Sequence, residues 1–76
     1  MPKLVPISAK KLIRILKHLG FVELRSRGSH HFFIHPDSKK TATVPVHAGE
    51  EVRIGTLKSI LNDIDISTEA YEKLRK

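Results

Sequence analysis

The run Gly28-Ser29-His30-His31 opens an aromatic segment, Phe32-Phe33-Ile34. A glycine turn at this place sets two imidazoles at the mouth of a β-strand. Histidine both takes and gives a proton near neutral pH, its unperturbed pKa being about 6.5. The chain also carries 14 Lys and Arg against 8 Asp and Glu, a formal net charge of +6. Such an excess suits a polyphosphate partner. Cleavage of RNA needs little further equipment. A base takes the 2′-hydroxyl proton, an acid protonates the leaving 5′-oxygen, and cations stabilise the phosphorane charge. One histidine beside Lys or Arg is therefore a workable site without a metal. His30 and His31 are the candidates for it. Arg25, Arg27, Lys39 and Lys40 are the candidate phosphate contacts, with Lys10 and Lys11 of the first helix and Ser29 of the turn as further RNA contacts.

Each of these has a plainer reading. A histidine in a strand is more often a surface or packing residue than a catalyst. Lysines on a helix usually form a solvated face. Ser29 as a nucleophile has no acid–base pattern to support it. Phe32 and Phe33 are expected in sheet packing rather than as platforms for bases. His47 reads as loop structure in preference to a second active-site group. The five histidines, His18, His30, His31, His35 and His47, include no i, i+4 helical pair of the zinc-protease type, and there is no cysteine. Neither a metal nor any other cofactor is expected.

Side chains alternate across a strand, so His30, Phe32 and Ile34 share one face and His31, Phe33 and His35 the other. The apolar pair Phe32 and Ile34 favours the first set for the core. His30 then sits at the lip of the strand and the second set looks outward.

The elements that must hold these residues follow from periodicity. Met1 to Ile7, with two prolines, reads as an extended lead-in. Ser8 caps a helix over Ala9 to Leu19, whose Leu12, Ile13, Leu16 and Leu19 form one stripe, and Gly20 ends it. Phe21 to Arg27 alternates as a strand, Gly28-Ser29 turns, and His30 to His35 is β-rich. Pro36 to Lys40 is a turn by its residue types. Thr41 to Val46 is a third strand, with Pro45 marking an edge or an end. His47 to Val52 is a loop. Leu57, Ile60, Leu61 and Ile64 define a helix beginning near Thr56. Ser67 or Thr68 caps a last short helix, with Glu69 in its first turn and Lys73, Arg75 and Lys76 at its end. The expected fold is α+β, in the order α-β-β-β-α. A three-stranded antiparallel sheet carries both helices on one face, and a short C-terminal helix follows. That is the layout of a double-stranded RNA-binding domain.

A chain of 76 residues makes one domain, 1–76, with a small core. No apolar run approaches the roughly 20 residues of a membrane span, and no secretory signal is visible. With cysteine absent as well, the cytoplasm is the expected compartment. The basic balance makes nucleic acid the leading partner class, ahead of an anionic membrane surface or an acidic protein.

Leu19-Gly20-Phe21, Arg27-Gly28-Ser29-His30-His31 and His35-Pro36 then combine with Thr43-Val44-Pro45-Val46-His47, Gly49-Glu50 and Ile54-Gly55-Thr56-Leu57-Lys58-Ser59-Ile60-Leu61. Together they resemble the HicA family of bacterial toxin–antitoxin systems, over nearly the whole chain. The resemblance implies a double-stranded RNA-binding-like fold, cleavage of mRNA, growth inhibition, and neutralisation by a HicB antitoxin. It places the essential histidine after the glycine turn, at His30, with His31 as the alternate. The rival classes are a non-catalytic RNA-binding module of the same fold and a DNA-binding regulator. The latter lacks a recognition helix set after a tight helical turn.

Overall fold

The computed structural model describes residues 4–75, so Met1, Pro2 and Lys3 of the expected lead-in and Lys76 of the expected basic helix end lie outside the described residues. Helix α1 spans Ala9–His18. Ser8 starts it: its backbone is extended and its Oγ accepts a hydrogen bond from Lys11 N–H at 3.2 Å, satisfying one amide of the open first turn. Leu19 caps the other end and Gly20 follows at φ +99. Gly20 N–H donates to Lys17 O and Phe21 N–H to Leu16 O, both at 3.0 Å. These are the paired bonds of a Schellman ending, which wants glycine at this position. Gly20 has a second reason to lack a side chain. A Cβ there would stand 3.0 Å from His35 Nε2.

Strands β2 (Val22–Arg27), β3 (His30–Ile34) and β4 (Thr41–Pro45) form an antiparallel meander with β3 in the centre. Pro45 is both the last residue of β4 and on an edge strand, where its missing N–H costs least. Arg27 pairs with His30 across the turn. Gly28 takes φ +60, whereas Ser29 does not take a positive φ. Glycine at the first central position is the type II′ arrangement, whose twist matches that of the strands it joins. The register of β2 slips between Glu23 and Arg25, a bulge around Leu24 that interrupts the expected alternation.

The facing of β3 is the reverse of that expected. Phe33 is 1% exposed and in the core, whereas Phe32 and Ile34 are only half-buried. The cause lies in the neighbouring strand. In β4, Ala42 and Val44 are buried and Thr41 and Thr43 exposed. Register pairs Phe33 with Ala42 and His31 with Val44. Directly opposed residues share a face, so β4 decides which side of β3 meets the helices. That side packs on Leu12 and Leu16 of α1 and on Leu57 and Leu61 of α2 (Ile54–Asp63). The other face, with His30, Phe32, Ile34, Thr41 and Thr43, is open.

Two further strands replace segments expected to be lead-in and loop. β1 (Ile7–Ser8) pairs antiparallel with β5 (Glu51–Val52), and Ile7 and Val52 oppose each other, both buried. Helix α2 starts at Ile54, two residues before the expected Thr56. Helix α3 (Thr68–Arg75) starts after Ser67, whose Oγ accepts from Ala70 N–H at 3.1 Å. The molecule measures 35 × 32 × 19 Å. Its thin axis fits one sheet layer backed by one helix layer, and every residue of β2 is exposed.

Candidate active site

His30 is the first residue of β3, exposed on the open face, with Arg27 opposite it on β2 and Pro45 opposite it on β4. One residue pair further along that face, Arg25 lies over Phe32, its guanidinium 5.2 Å from the ring centroid. The open face at this end of the sheet thus offers an imidazole, two guanidinium groups and a half-buried aromatic ring within neighbouring register positions.

Next to His30 the surface dips into an open cleft of about 500 Å³. The sheet supplies His30, Thr43 and Pro45. The rest of the lining comes from the turn after β4, with His47 and Glu50, then from Glu51 and Val52 of β5 and Arg53 and Thr56 at the start of α2. The turn is closed by Glu50 N–H donating to His47 O at 3.1 Å, with Gly49 at φ +75. A positive φ at the third position is what a type II turn requires of glycine. Arg53 is the N-cap of α2, and among the described residues no side chain caps the helix's first-turn amides. Such free amides carry partial positive charge and favour an anion. The cleft therefore combines two imidazoles, a guanidinium and a helix N-terminus with two carboxylates.

His31 and His35 have different surroundings. His31 points to the helix side of the sheet, half-buried, with Nδ1 3.4 Å from Glu23 Oε1. His35 packs edge-on against Phe21 at 5.2 Å between centroids. Its Nδ1 accepts from Asp37 N–H at 3.2 Å and Ser38 N–H at 3.3 Å, pinning the turn into β4. Neither faces the cleft.

The predicted RNA contacts separate into groups. Arg25, Arg27 and Ser29 stand with His30; the Ser29 carbonyl accepts from Val46 N–H at 2.6 Å. Lys39 and Lys40 follow the opposite end of β3, on the order of 15 Å away at the rise of a strand. Lys40 Nζ donates to Asp65 Oδ2 at 3.1 Å and ties that turn to the end of α2. Lys10 and Lys11 are exposed in the first turn of α1, in the layer behind the sheet. Thr43, Glu50 and Thr56 belong to the motifs of the family resemblance but, like Arg53, are not candidate site residues by sequence. Thr43 joins His30 through the register of β3 with β4, and Glu50, Arg53 and Thr56 join it from the chain on either side of β5, which pairs with β1; no local pattern announces either. Among the described residues no three His, Cys, Asp or Glu side chains gather as a metal site. Nor, among the described residues, is any helix long and apolar enough to cross a membrane.

Residues 9–66 match the family model described as the HicA toxin of bacterial toxin–antitoxin systems. The chain belongs to the HicA toxin family. The match runs from the start of α1 to just beyond α2, and so takes in the sheet, His30 and every residue of the cleft. Membership makes this HicA chain the toxin component of a toxin–antitoxin pair, with an antitoxin as its partner. No curated protein matches the chain.

Proposed function

We propose that this HicA protein is a metal-independent endoribonuclease that cleaves mRNA in the cytoplasm, with His30 as a general acid–base group. The observation that carries this reading is the position of His30, exposed at the rim of the cleft and facing Arg27. The 2′-oxygen of a bound strand attacks the adjacent phosphorus and expels the 5′-oxygen, leaving a 2′,3′-cyclic phosphate. His30 moves a proton in that step. Arg27, Arg53 and the uncapped start of α2 offset charge on the phosphorane. Arg25 and Phe32 form a stacking surface for a base beside the scissile phosphate. His30 is favoured over His31 because His31 faces the helices and contacts Glu23.

The test is RNA cleavage by the wild type and by His30→Ala, both in excess chelator. The wild type should cut, and the variant should lose about 10²–10⁴-fold in rate while remaining folded. Cleavage that vanishes with EDTA and returns with a divalent ion would overturn metal independence. Equal cleavage rates in the two proteins would remove His30 from the chemistry, and a wild type that binds RNA but does not cut it would leave a non-catalytic RNA-binding module.

A HicB-type antitoxin is the proposed partner. It docks on the open sheet face, covers His30 and the neighbouring arginines, and competes with RNA. An acidic surface on it would speed encounter with this basic chain.

A further inference from the structure

We infer that His47 is the second proton-transfer group of the cleft, the counterpart of His30. This rests on the ribonuclease reading above and adds a catalytic residue to it. Both residues are exposed and line the same cleft. The backbone sets their spacing. His30 pairs with Pro45, and Val46 N–H donates to Ser29 O, so the ladder runs one step beyond the end of β4. His47 follows at once, two residues after Pro45. A diagonal neighbour of this kind lies about 7–8 Å across a strand pair. The turn closed by Glu50 N–H on His47 O then holds His47 at the mouth of the cleft.

That separation matches a need of the chemistry. In-line displacement places the attacking 2′-oxygen and the leaving 5′-oxygen on opposite sides of phosphorus. The base and the acid must therefore stand apart with the phosphate between them. One imidazole removes the 2′-hydroxyl proton as the new P–O bond forms. The other gives its proton to the 5′-oxygen as the old bond breaks. No water or other co-reactant is consumed. Of the histidines near the sheet, His31 is taken up by Glu23 and His35 by the turn that it pins. Among the described residues no hydrogen bond engages the His30 or His47 ring. The charged groups facing them are Arg27 opposite His30, and Glu50, Glu51 and Arg53 around the cleft.

The experiment measures pH–rate profiles of the wild type, His30→Ala and His47→Ala on a short RNA. The same proteins are then assayed on an RNA whose leaving 5′-oxygen is replaced by sulfur, because a thiolate departs without a proton. The wild-type profile on ordinary RNA should be bell-shaped. His47→Ala should fall by about 10²-fold or more and lose one limb of the bell, and His30→Ala should lose the other limb. One of the two variants, and only one, should recover on the sulfur-containing RNA. Affinity of His47→Ala for a 2′-deoxy analogue should stay within about threefold of wild type, far less than the loss in rate. His47→Gln, which keeps polarity but cannot shuttle a proton, should behave as the alanine variant does, and it replaces that variant should the latter fold poorly. An intact bell for a folded His47 variant, recovery by neither variant, or a loss wholly in affinity would overturn the role of His47. A wild type that cuts neither RNA would instead remove the ribonuclease reading itself.

Discussion

At the scale of single residues, His30 and His31 are neighbours in sequence and strangers in space. One step along β3 moves a side chain through the sheet, from open cleft to helix layer. His31 sits beside Glu23 at 3.4 Å, partly exposed. A pair of that kind contributes little, typically about 0–1 kcal/mol. His31→Ala is therefore expected to cleave RNA at close to the wild-type rate and to lose no more than about 1 kcal/mol of stability. Initial rates and a thermal melt on the same preparation check this. Loss of cleavage in a folded His31→Ala, with His30→Ala still active, would reverse the assignment.

At the scale of elements, the central strand and the last helix make separable predictions. Phe32 is held on the open face of β3 under Arg25. A base stacked there should contribute about 1–3 kcal/mol. Phe32→Ala should weaken binding of a non-cleavable single-stranded RNA accordingly, read by fluorescence anisotropy, without changing the melt by as much as a core residue would. Unchanged affinity would exclude this ring as a platform. In α3, Tyr71 is fully buried, and its hydroxyl has no hydrogen-bond partner among the described residues. Burial, assisted by Glu72 and partly offset by Arg75, pushes the phenol above its ordinary value of 10.0. The folded state therefore prefers the neutral phenol. Its contribution to stability is intact below pH 10 and is lost as pH rises through the raised folded value. Tyr71→Phe removes an unpaired buried hydroxyl, so it should gain about 1 kcal/mol at neutral pH. It should also lose less stability than the wild type between neutral and strongly alkaline pH. Denaturant titrations at both ends of that range give the comparison, and an equal alkaline loss in the two proteins would contradict it.

At the scale of the whole molecule, a net charge of +6 on 76 residues acts over more than the cleft. RNA affinity should fall steeply with salt, with a log–log slope of about −0.7 for each single-strand phosphate neutralised. Lys39→Ala should reduce that slope regardless of RNA sequence. Lys40→Ala should reduce it less, because its ammonium already meets Asp65 at 3.1 Å. A flat salt response would assign the basic surface to a protein partner alone. The antitoxin prediction belongs at this scale too. A toxin–antitoxin complex that leaves His30 open to imidazole-modifying reagent and still binds RNA would rule out direct masking. Protection of His30 together with competition against RNA is the expected result.

Periodicity and turn chemistry carry most of the secondary structure of this protein. Ser8, Gly20 and Ser67 act where their side chains, or the lack of one, satisfy helix ends locally. Gly28 set the hairpin, and its two-residue turn fixes the pairing of Arg27 with His30. These effects span a few residues, so local reading reaches them. The facing of β3 was beyond that reading, because both of its faces carry apolar residues. It is decided in tertiary structure by the register with β4, whose Thr-Ala-Thr-Val pattern has only one buried side. The strands β1 and β5 are two residues each, too short to show alternation, and become strands only by pairing across the chain. The cleft follows from that pairing. It draws His30, His47 and Arg53 together from three separate elements. Chemistry-bearing residue types are a property of the sequence, whereas their common cavity depends on long-range backbone pairing and the burial of Ile7 against Val52.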